Sequence, residues 1–513
     1  MAELKNASDL LVAALEKEGV KVIYGVPGEE NLTLLESIRK SNIKFIVTRH
    51  EQTAAFMAAT YGRLTGKAGV ALSTLGPGAT NFTTAAAYAT LGGFPLIIIT
   101  GQKPIKHSKQ GLFQIIDIDA MMRPITKLSK RILDVNLVAT TVRESFRVAE
   151  TEKPGAVHIE FPEDISEEEI TKTTKCIIEP SISSYPTPNL DILKTAASLI
   201  KNAKMPLVLL AAGCNRIKSS KSISELMSAG CNKNSNVATA LTNFIDVTGI
   251  PFVATQMGKG VIAESNPNYI GTTALSNGDY VHELINKCDV ILNIGHDAIE
   301  KPPYFMDRKD LKVIHLNYTS AVVDNIYFPA LEVIGDVTTS LNLLAKELGK
   351  CNQDFKDAYK VKEFLFKHIS SGSNYESFPI KPQRLVVDIK EVMGKDGVVA
   401  LDNGMYKLWF ARNYIAEEPN TVLLDNALAT MGAGLPVGME VARLYPNKRV
   451  LTVAGDGGFM MNSQELETAV RLKLNLVIVV LNDSSYGMIK WKQQGMHLED
   501  YSLDFSNPDF IKY

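Results

Sequence analysis

Short apolar runs that recur along the chain, each followed by a segment of helical periodicity, constrain the fold most strongly. Runs such as "GVALS", "PLIIIT", "CDVILNIG" and "LVIVVLN" are rich in Val, Ile and Leu and lack alternating polar positions. Continuous apolar runs of this length are typical of parallel strands buried on both faces, and the helical segments supply the crossovers. The pattern predicts an α/β protein built from doubly wound parallel sheets.

Two stretches rich in Pro and Ser divide this pattern into three parts. "EPSISSYPTPNLD" covers 179–191 and "SNYESFPIKPQ" covers 373–383. Such stretches favour loops and linkers over packed elements. We therefore predict three α/β domains, at residues 1–175, 190–350 and 375–513. A chain of 513 residues with 45% apolar content has enough material for three cores.

Charge and composition exclude several classes of protein. The formal net charge is −2 and basic residues form no long block, which argues against a nucleic-acid partner. The apolar runs are far shorter than a membrane span, and "MAELKNASDLLVAALEKEGV" mixes acids and lysines as an amphipathic helix does. The five cysteines include no C-x-x-C pair and are expected to be reduced thiols. We expect a cytoplasmic protein that binds neither nucleic acid nor a membrane.

Two aspartates follow neighbouring strands in the stretch "AGDGGFMMNSQELETAVRLKLNLVIVVLNDSSYGM", residues 454–488. Asp456 ends one predicted strand and Asp483 ends the next. A right-handed crossover brings both carboxylates to the same edge of a parallel sheet, where oxygen ligands suit Mg²⁺. The glycines around the first acid allow close backbone approach to an anion; they are Gly455, Gly457 and Gly458. Either acid alone reads as an ordinary helix cap, but the combination predicts a metal-bridged diphosphate site.

Glu51 stands between a predicted strand end and an alanine-rich helix in "IVTRHEQTAAFMAATYGRLTG". Taken alone, it reads as a surface glutamate that the helix dipole favours at an N-terminus.

The motifs together resemble those of thiamine-diphosphate-dependent enzymes. G-D-G followed by N-D matches their metal motif, and "RHEQTAAFMA" resembles the corresponding stretch of acetolactate synthases. The resemblance implies that the side chains of Asp456 and Asp483 and the backbone carbonyl of Ser485 hold Mg²⁺. It also implies that Glu51 is the acid that activates the aminopyrimidine ring of thiamine diphosphate.

Further segments carry the same resemblance over nearly the whole chain. They are "YGVPG", "STLGPGATN", "GLFQIIDIDAMMRPITK", "DNGMYKLWFARNY" and "LATMGAGLP". The resemblance implies a pyrimidine-binding first domain, a central domain and a diphosphate-binding third domain. It implies that Gln114 faces the reacting centre. The remaining implied cofactor-binding residues are Pro27, Pro77, Asn81, Gly404, Met405, Tyr406 and Met431.

The reaction that the resemblance implies is that of an acetolactate synthase. Such an enzyme decarboxylates pyruvate and joins the remaining two-carbon unit to a second 2-keto acid, which gives 2-acetolactate and CO₂. The same motifs also leave open another 2-keto acid decarboxylase, an aldehyde lyase or an acetyltransferase. In relatives the glutamate and the metal site come from different subunits, so a homodimer or homotetramer with active sites at the subunit interface is implied.

Three departures from the family refine these expectations. The FAD-containing synthases carry R-F-D-D where this chain has "NIGHDAIEKPPYFM" (293–306), so it resembles the catabolic, FAD-independent synthases better and FAD is not expected. His296 or Lys301 in that stretch are candidates to contact a carboxylate, and Trp491 stands one place earlier than the family's tryptophan.

Relatives continue beyond "FSNPDFIKY", so we expect a shortened third domain and keep an inactive paralogue as an alternative.

Overall fold

The computed structural model describes residues 4–106, 111–171, 174, 177–181, 185–216, 236–273, 275, 279–297, 306, 308–323 and 326–513. These residues form two compact units. The first unit comprises the described parts of Met1–Ser183, Leu435–Pro446 and Asn462–Leu474. The second unit comprises the described parts of Ser184–Gly434, Asn447–Met461 and Asn475–Tyr513.

The first unit is built on a parallel sheet with the strand order β2-β1-β3-β4-β6-β5. Its strands are β1 (Val22–Gly25), β2 (Lys44–Val47), β3 (Gly69–Ser73), β4 (Leu96–Gln102), β5 (Leu128–Arg131) and β6 (Ala156–Pro162). Its helices in the N-terminal part are α1 (Ala7–Lys17), α2 (Leu32–Arg39), α3 (Glu51–Thr65), α4 (Gly76–Asn81), α5 (Thr83–Gly92), α6 (Ile118–Met122), α7 (Val138–Glu150) and α8 (Glu163–Ser166). Strands β3 and β4 are buried along their whole length, as their apolar runs predict, and β6 is equally buried although it contains His158 and Glu160.

Helix α3 shows how the sequence packs this sheet. His50 caps its first turn by accepting the N–H of Gln52 at Nδ1, and Gly66 ends it in the left-handed conformation with φ 71°. The helix is buried from Thr53 onward, because its alanines let it lie close to β3. An alanine-rich helix buried all round belongs to the core rather than to the surface.

The second unit contains a central parallel sheet with the strand order β12-β11-β10-β7-β8-β9. The strands are β7 (Pro206–Leu210), β8 (Phe252–Ala254), β9 (Tyr269–Thr272), β10 (Val290–Ile294), β11 (Lys312–Asn317) and β12 (Leu331–Ile334). The helices are α9 (Leu190–Asn202), α10 (Asn236–Thr248), α11 (Tyr280–Lys287), α12 (Val337–Leu348) and α13 (Lys356–Ser370). Helices α9, α10 and α12 pack on one apolar face, and α11 and α13 pack on the other.

A third parallel sheet, with the order β14-β13-β15-β16, also lies in the second unit. Its strands are β13 (Val398–Leu401), β14 (Val422–Leu423), β15 (Val450–Gly455) and β16 (Val477–Leu481). The helices of this part of the chain are α14 (Pro382–Met393), α15 (Tyr406–Asn413), α16 (Gly434–Leu444), α17 (Asp456–Asn462), α18 (Leu466–Arg471) and α19 (Gly487–Gly495). Between β15 and β16 the chain forms α17, a short 3-10 helix at Ser463–Glu465 and α18, where a single crossover helix was expected.

The structure confirms three doubly wound parallel sheets. The domain boundaries stay a prediction, because Leu435–Pro446 and Asn462–Leu474, expected in the third domain, cluster with the first unit. Cys214, Cys288 and Cys351 are free thiols. Cys176, Cys231 and Lys301 lie outside the described residues. Among the helices of the described ranges, none is both long and apolar enough to cross a membrane.

Candidate functional site

The carboxyl ends of β13 and β15 form the topological switch point of the third sheet. Strand β13 pairs with β14 on one side and with β15 on the other. In open α/β sheets, ligands bind beyond the strand ends at such a point because the connections leave in opposite directions. Asp402 follows β13 and Asp456 follows β15, so each strand delivers an acid to this edge.

Asp402 is a buried acid that organises the edge. Its carboxylate accepts the backbone N–H of Asn403 at 2.7 Å and that of Gly432 at 2.9 and 3.0 Å. Burial raises the pKa of Asp402 to about 6, although these backbone donors oppose the shift. A Cβ at Gly458 would lie 2.5 Å from Oδ2 of Asp402. Asp402 therefore fixes the turn after Met431, and its carboxylate leaves room only for glycine at position 458.

The other glycines of the motif line an open cradle. A Cβ at Gly457 would lie 2.9 Å from Cε1 of Tyr486 and 3.4 Å from Cε of Met431. A Cβ at Gly455 would lie 3.2 Å from Cε1 of Tyr406. Side chains here would fill the space beside the strand ends. The cradle fits the close backbone approach of a diphosphate.

The predicted metal-binding acids meet at one tight turn. Asp456 is buried, and its Oδ1 accepts the N–H of Gly457 at 2.8 Å while its Oδ2 accepts the N–H of Ser484 at 2.7 Å. Ser484 has φ 53°, a left-handed conformation that is uncommon for a residue with a side chain. The bond from Ser484 to Asp456 holds this conformation and thereby fixes the residues on either side, Asp483 and Ser485.

The charges at this turn favour a divalent cation. Burial raises the pKa of Asp483, and the negative charge of Asp456 raises it further. The Ser485 carbonyl accepts the N–H of Gly487 at 2.9 Å, which leaves its second lone pair for another partner. The Ser485 hydroxyl oxygen is buried and, among the described residues, has no hydrogen-bond partner. Two repelling carboxylates with a carbonyl alongside are the hard oxygen ligands that Mg²⁺ prefers, so the donor set fits Mg²⁺.

No cluster of three or more His, Cys, Asp or Glu side chains with metal-binding geometry occurs in the described ranges. Such closed clusters are typical of structural zinc sites. The acids at 456 and 483 instead fit the open kind of site, in which ligand oxygens or water supply the remaining positions.

Glu51 lies in the first unit, at the first position of α3. Asn81, at the end of α4, donates from Nδ2 to Oε2 of Glu51 at 2.8 Å. A Cβ at Gly78 would lie 3.3 Å from Oε1 of Glu51. A Cβ at Gly76 would lie 2.6 Å from the carbonyl oxygen of Gln114. The "GPG" loop after β3 thus brings Glu51, Asn81 and the backbone of Gln114 to one edge of the sheet.

The other predicted residues of the first unit are exposed at this edge. Pro27 follows β1 and Pro77 lies in the first turn of α4. Gln114 is exposed and has φ 58°. Strand β1 pairs with β2 on one side and with β3 on the other. The first sheet therefore also has a topological switch point, at the carboxyl ends of β1 and β3.

The predicted residues of the second unit are Gly404, Met405, Tyr406, Met431, Gly455, Asp456, Gly457, Gly458, Asp483 and Ser485. Gly404 and Met405 are half-buried, and Tyr406 begins α15 with a buried ring. Burial raises the pKa of the Tyr406 phenol well above its usual value. The structure thus brings the predicted residues together as two groups, one in each unit.

The roles considered for His296 and Trp491 in substrate contacts stay predictions. His296 is buried and packs against the ring of Tyr327, with 4.2 Å between centroids. Trp491 is on α19 and is half-exposed.

Several residues of the site were missed by sequence reasoning. Asp402 is a strand-end acid, and the argument used for Asp456 applies to it equally. Lys407 is buried and donates from Nζ to Oδ1 of Asn403 at 2.6 Å and to the carbonyl of Asp425 at 3.0 Å. Asn507 donates from Nδ2 to Oδ2 of Asp456 at 2.7 Å. A lysine inside an amphipathic helix and an asparagine near the C-terminus give no distinct sequence signal.

Three family descriptions match successive parts of the chain. They are "Thiamine pyrophosphate enzyme, N-terminal TPP binding domain" at residues 5–121, "central domain" at 227–344 and "C-terminal TPP binding domain" at 402–513. The group around Glu51 lies within the first match, and the group around Asp456 lies within the last.

Curated relatives match almost the full chain. An acetolactate synthase of Bacillus subtilis is 31% identical over 99% of this chain and 87% of its own length. A probable acetolactate synthase large subunit of Methanocaldococcus jannaschii is 31% identical over 99% of this chain and 85% of its own. A catabolic acetolactate synthase of Raoultella terrigena is 28% identical over 99% of this chain and 88% of its own. The chain therefore belongs to the thiamine pyrophosphate-dependent enzymes of the acetolactate synthase type.

Proposed function

We propose that this enzyme converts pyruvate to 2-acetolactate and CO₂, with a second 2-keto acid as the acceptor. The observation that carries the proposal is the placement of Glu51, held by Asn81 at the head of a buried helix. The matches to acetolactate synthases extend over 99% of the chain and support this reaction above others of the family.

Thiamine diphosphate, when bound, supplies an electron sink for cleaving the bond between a keto carbon and its carboxylate. The residues of the second unit that would hold its diphosphate are those of the glycine cradle, with Gly404 and Met405 after β13. Asp456, Asp483 and the Ser485 carbonyl would hold Mg²⁺, whose charge would offset part of the negative charge of the two carboxylates and the diphosphate. Met431, 3.4 Å from a Cβ at Gly457, would support the cofactor rings.

Glu51 would hold a proton for the aminopyrimidine ring. Its Oε2 already accepts a hydrogen bond from Asn81, so Oε1 is the oxygen that would face the ring nitrogen. Position 78 is glycine, and a side chain there would begin 3.3 Å from that oxygen. A carboxyl group that gives and takes this proton acts as a general acid and base, a role worth about 10²- to 10⁴-fold in rate.

Pro27, Pro77, Asn81 and Gln114 would complete the pyrimidine side. Pro77 and Gln114 are exposed at the strand-end edge, where a ligand can reach them. We assign substrate binding to the side chain of Gln114, because the loop that carries it packs against the "GPG" turn at Gly76.

We further propose a homodimer, or a dimer of dimers, in which the Glu51 group of one chain completes the metal group of another. Support comes from apolar side chains exposed beside the third sheet. Strand β16 is an edge strand on which Val477 is 60% exposed, and Ile489 on α19 is 52% exposed. Exposed apolar side chains favour a protein–protein contact where they form a contiguous patch. The absence of FAD stays an expectation, because the segment on which it rests, residues 293–306, includes residues that the structure does not describe.

Product analysis tests the reaction. The purified protein is incubated with pyruvate, Mg²⁺ and thiamine diphosphate without FAD, and acetolactate, acetaldehyde and CO₂ are quantified. We expect acetolactate as the main product. Acetaldehyde as the main product would instead assign a decarboxylase, and acetyl phosphate formed only with added phosphate would assign an acetyltransferase.

A further inference from the structure

A buried carboxylate lies directly against the chain that leads into α3. Glu465, in the 3-10 helix after α17, is fully buried and belongs to the first unit. Its Oε1 accepts the backbone N–H of Arg49 and that of His50, both at 3.0 Å. Its Oε2 accepts the Thr468 hydroxyl at 2.6 Å. The two amides immediately before Glu51 are therefore bound by one side chain.

The residues immediately after Glu51 are held by a neighbour of Glu465. Asn462 is buried, and its Nδ2 donates to Oε1 of Gln52 at 3.1 Å. Its Oδ1 accepts the Thr53 hydroxyl at 3.2 Å. Contacts from one short segment thus fall on both sides of Glu51.

A second layer of contacts ties the same segment to β2. Arg471 donates from a terminal guanidinium nitrogen to the carbonyl of Val47 at 2.6 Å. It also donates from Nε to Glu467 at 2.9 Å, and Glu467 receives Nε of Arg49 at 2.9 Å. The segment from Asn462 to Arg471 follows the whole connection from the end of β2 into α3.

Burial of a charged carboxylate is costly unless hydrogen bonds compensate it, and apolar packing usually stabilises a core as well as a buried charge does. Besides the Thr468 hydroxyl, the compensating donors of Glu465 are the main-chain amides of the connection that precedes Glu51. Backbone amides ahead of a helix need acceptors in any case, but solvent or a cap residue usually provides them. Here the acceptor is instead the buried carboxylate of Glu465, which is distant in sequence and holds the connection between β2 and α3 in one conformation.

We propose that Glu465 and Asn462 are positioning residues that fix the direction in which Glu51 presents its carboxyl group. This inference rests on the proposed role of Glu51. Neither side chain touches the cofactor in this account, and both act through α3. Because misplacement of a reacting group by about 1 Å costs about 100-fold in rate, their loss lowers turnover without removing any catalytic group.

Amide hydrogen exchange of the cofactor-free protein tests the positioning directly. In Glu465→Ala we expect the amides of Arg49 and His50 to exchange at least ~10-fold faster, because they lose their acceptor, while amides elsewhere in the unit keep their rates. Glu465→Gln should keep them protected, since an amide oxygen accepts both N–H groups. Glu18→Gln is the control, a half-buried glutamate of the same unit whose partner is Arg143 on α7.

Steady-state kinetics then test the consequence. We expect Glu465→Ala to lower kcat by about 100-fold with a smaller change in KM, and Glu465→Gln to recover at least ~10-fold of that loss. Wild-type kcat in Glu465→Ala, or faster exchange throughout the unit rather than at Arg49 and His50, overturns the inference. If Glu51→Gln itself turns over normally, the proposed role of Glu51 fails instead, and the exchange result still reports on the contact alone.

Discussion

Asn81 donates a hydrogen bond to Oε2 of Glu51 at 2.8 Å, which leaves Oε1 pointing to the space that Gly78 keeps open. The two oxygens of the carboxyl group thus have different surroundings. One is anchored by an amide, and the other is available to a ligand. This division explains how a half-exposed glutamate can have a fixed orientation.

Glu51→Gln should keep the fold and most cofactor binding but lose most turnover. Glutamine preserves the shape of the side chain, but it cannot exchange a proton, so we expect kcat to fall by roughly 100-fold or more. The measurement is kcat for pyruvate beside the cofactor dissociation constant. Glu36→Gln, an exposed glutamate on α2, is the control. Turnover at the wild-type rate in Glu51→Gln would remove Glu51 from the mechanism.

Asp483→Ala should weaken Mg²⁺-dependent retention of thiamine diphosphate. The change removes one of the three proposed Mg²⁺ ligands, at the turn that the hydrogen bond from Ser484 to Asp456 holds. Asp483→Asn keeps a ligand oxygen and relieves the repulsion by Asp456, so it should retain the cofactor much better than the alanine variant. Retention is measured after gel filtration at graded Mg²⁺ concentrations. Equal retention by the wild type and the alanine variant would refute the metal assignment.

Gly458→Ala should destabilise the protein and impair cofactor binding. The new methyl group would lie 2.5 Å from the Asp402 carboxylate, an overlap whose relief costs about 1–3 kcal/mol. Gly495→Ala is the matched change, since a Cβ there meets nothing within 4 Å, and it should be neutral or stabilise α19 by about 0.5–1 kcal/mol. Urea unfolding gives both values. A neutral Gly458→Ala would show that the cradle is looser than described.

His158 should make the wild type lose stability in acid. It is fully buried between the hydroxyls of Thr100 and Ser129, and burial lowers its pKa to about 3. Between about pH 6.5 and pH 3 the unfolded chain binds a proton here that the folded chain does not. The contribution of neutral, buried His158 to the free energy of unfolding is therefore fully present above pH 6.5. It is lost as the pH falls, by about 1.4 kcal/mol per pH unit for one proton. The free energy of unfolding of the wild type minus that of His158→Asn should fall with this slope from pH 6 to pH 4. A difference that is independent of pH would show that His158 is charged or exposed in the fold.

Two inactive variants should restore activity when they share a dimer. If Glu51 of one chain completes the metal group of another, a dimer of Glu51→Gln and Asp483→Ala chains contains one intact site. Random pairing of the two gives about a quarter of the wild-type activity. Co-expression with two affinity tags and purification over both isolates the mixed species. No activity in the mixed species would place each site within a single chain.

The sheets and the two strand-end acids were predictable because their signals are local. Unbroken apolar runs identified β3, β4 and β16, and the two predicted strands that end at Asp456 and Asp483 correspond to β15 and β16. Glu51 had no distinct local signal and needed the resemblance of its neighbours to a family. The left-handed conformation of Ser484 had no signal either, because Asp456 imposes it from a distant part of the chain.

The residues that hold these groups in place were not predictable, since their partners are far away in sequence. Glu465 binds amides at positions 49 and 50, more than four hundred residues earlier. Asn507 reaches Asp456 from the last residues of the chain. Asp402 is the exception. It follows a predicted strand, so the criterion of an acid at a strand end, which identified Asp456, also identifies Asp402. Tertiary contacts of this kind have no periodicity that a sequence pattern can display.

The most direct test of the central claim is the ratio of pyruvate consumed to CO₂ released by the wild type with Mg²⁺ and thiamine diphosphate. Joining two pyruvates with loss of one carboxylate predicts a ratio of two, with acetolactate equal to the CO₂ in amount. A ratio of one, with acetaldehyde in place of acetolactate, would contradict the account and assign a simple decarboxylase. Absence of CO₂ from a protein that holds the cofactor would contradict pyruvate as the substrate.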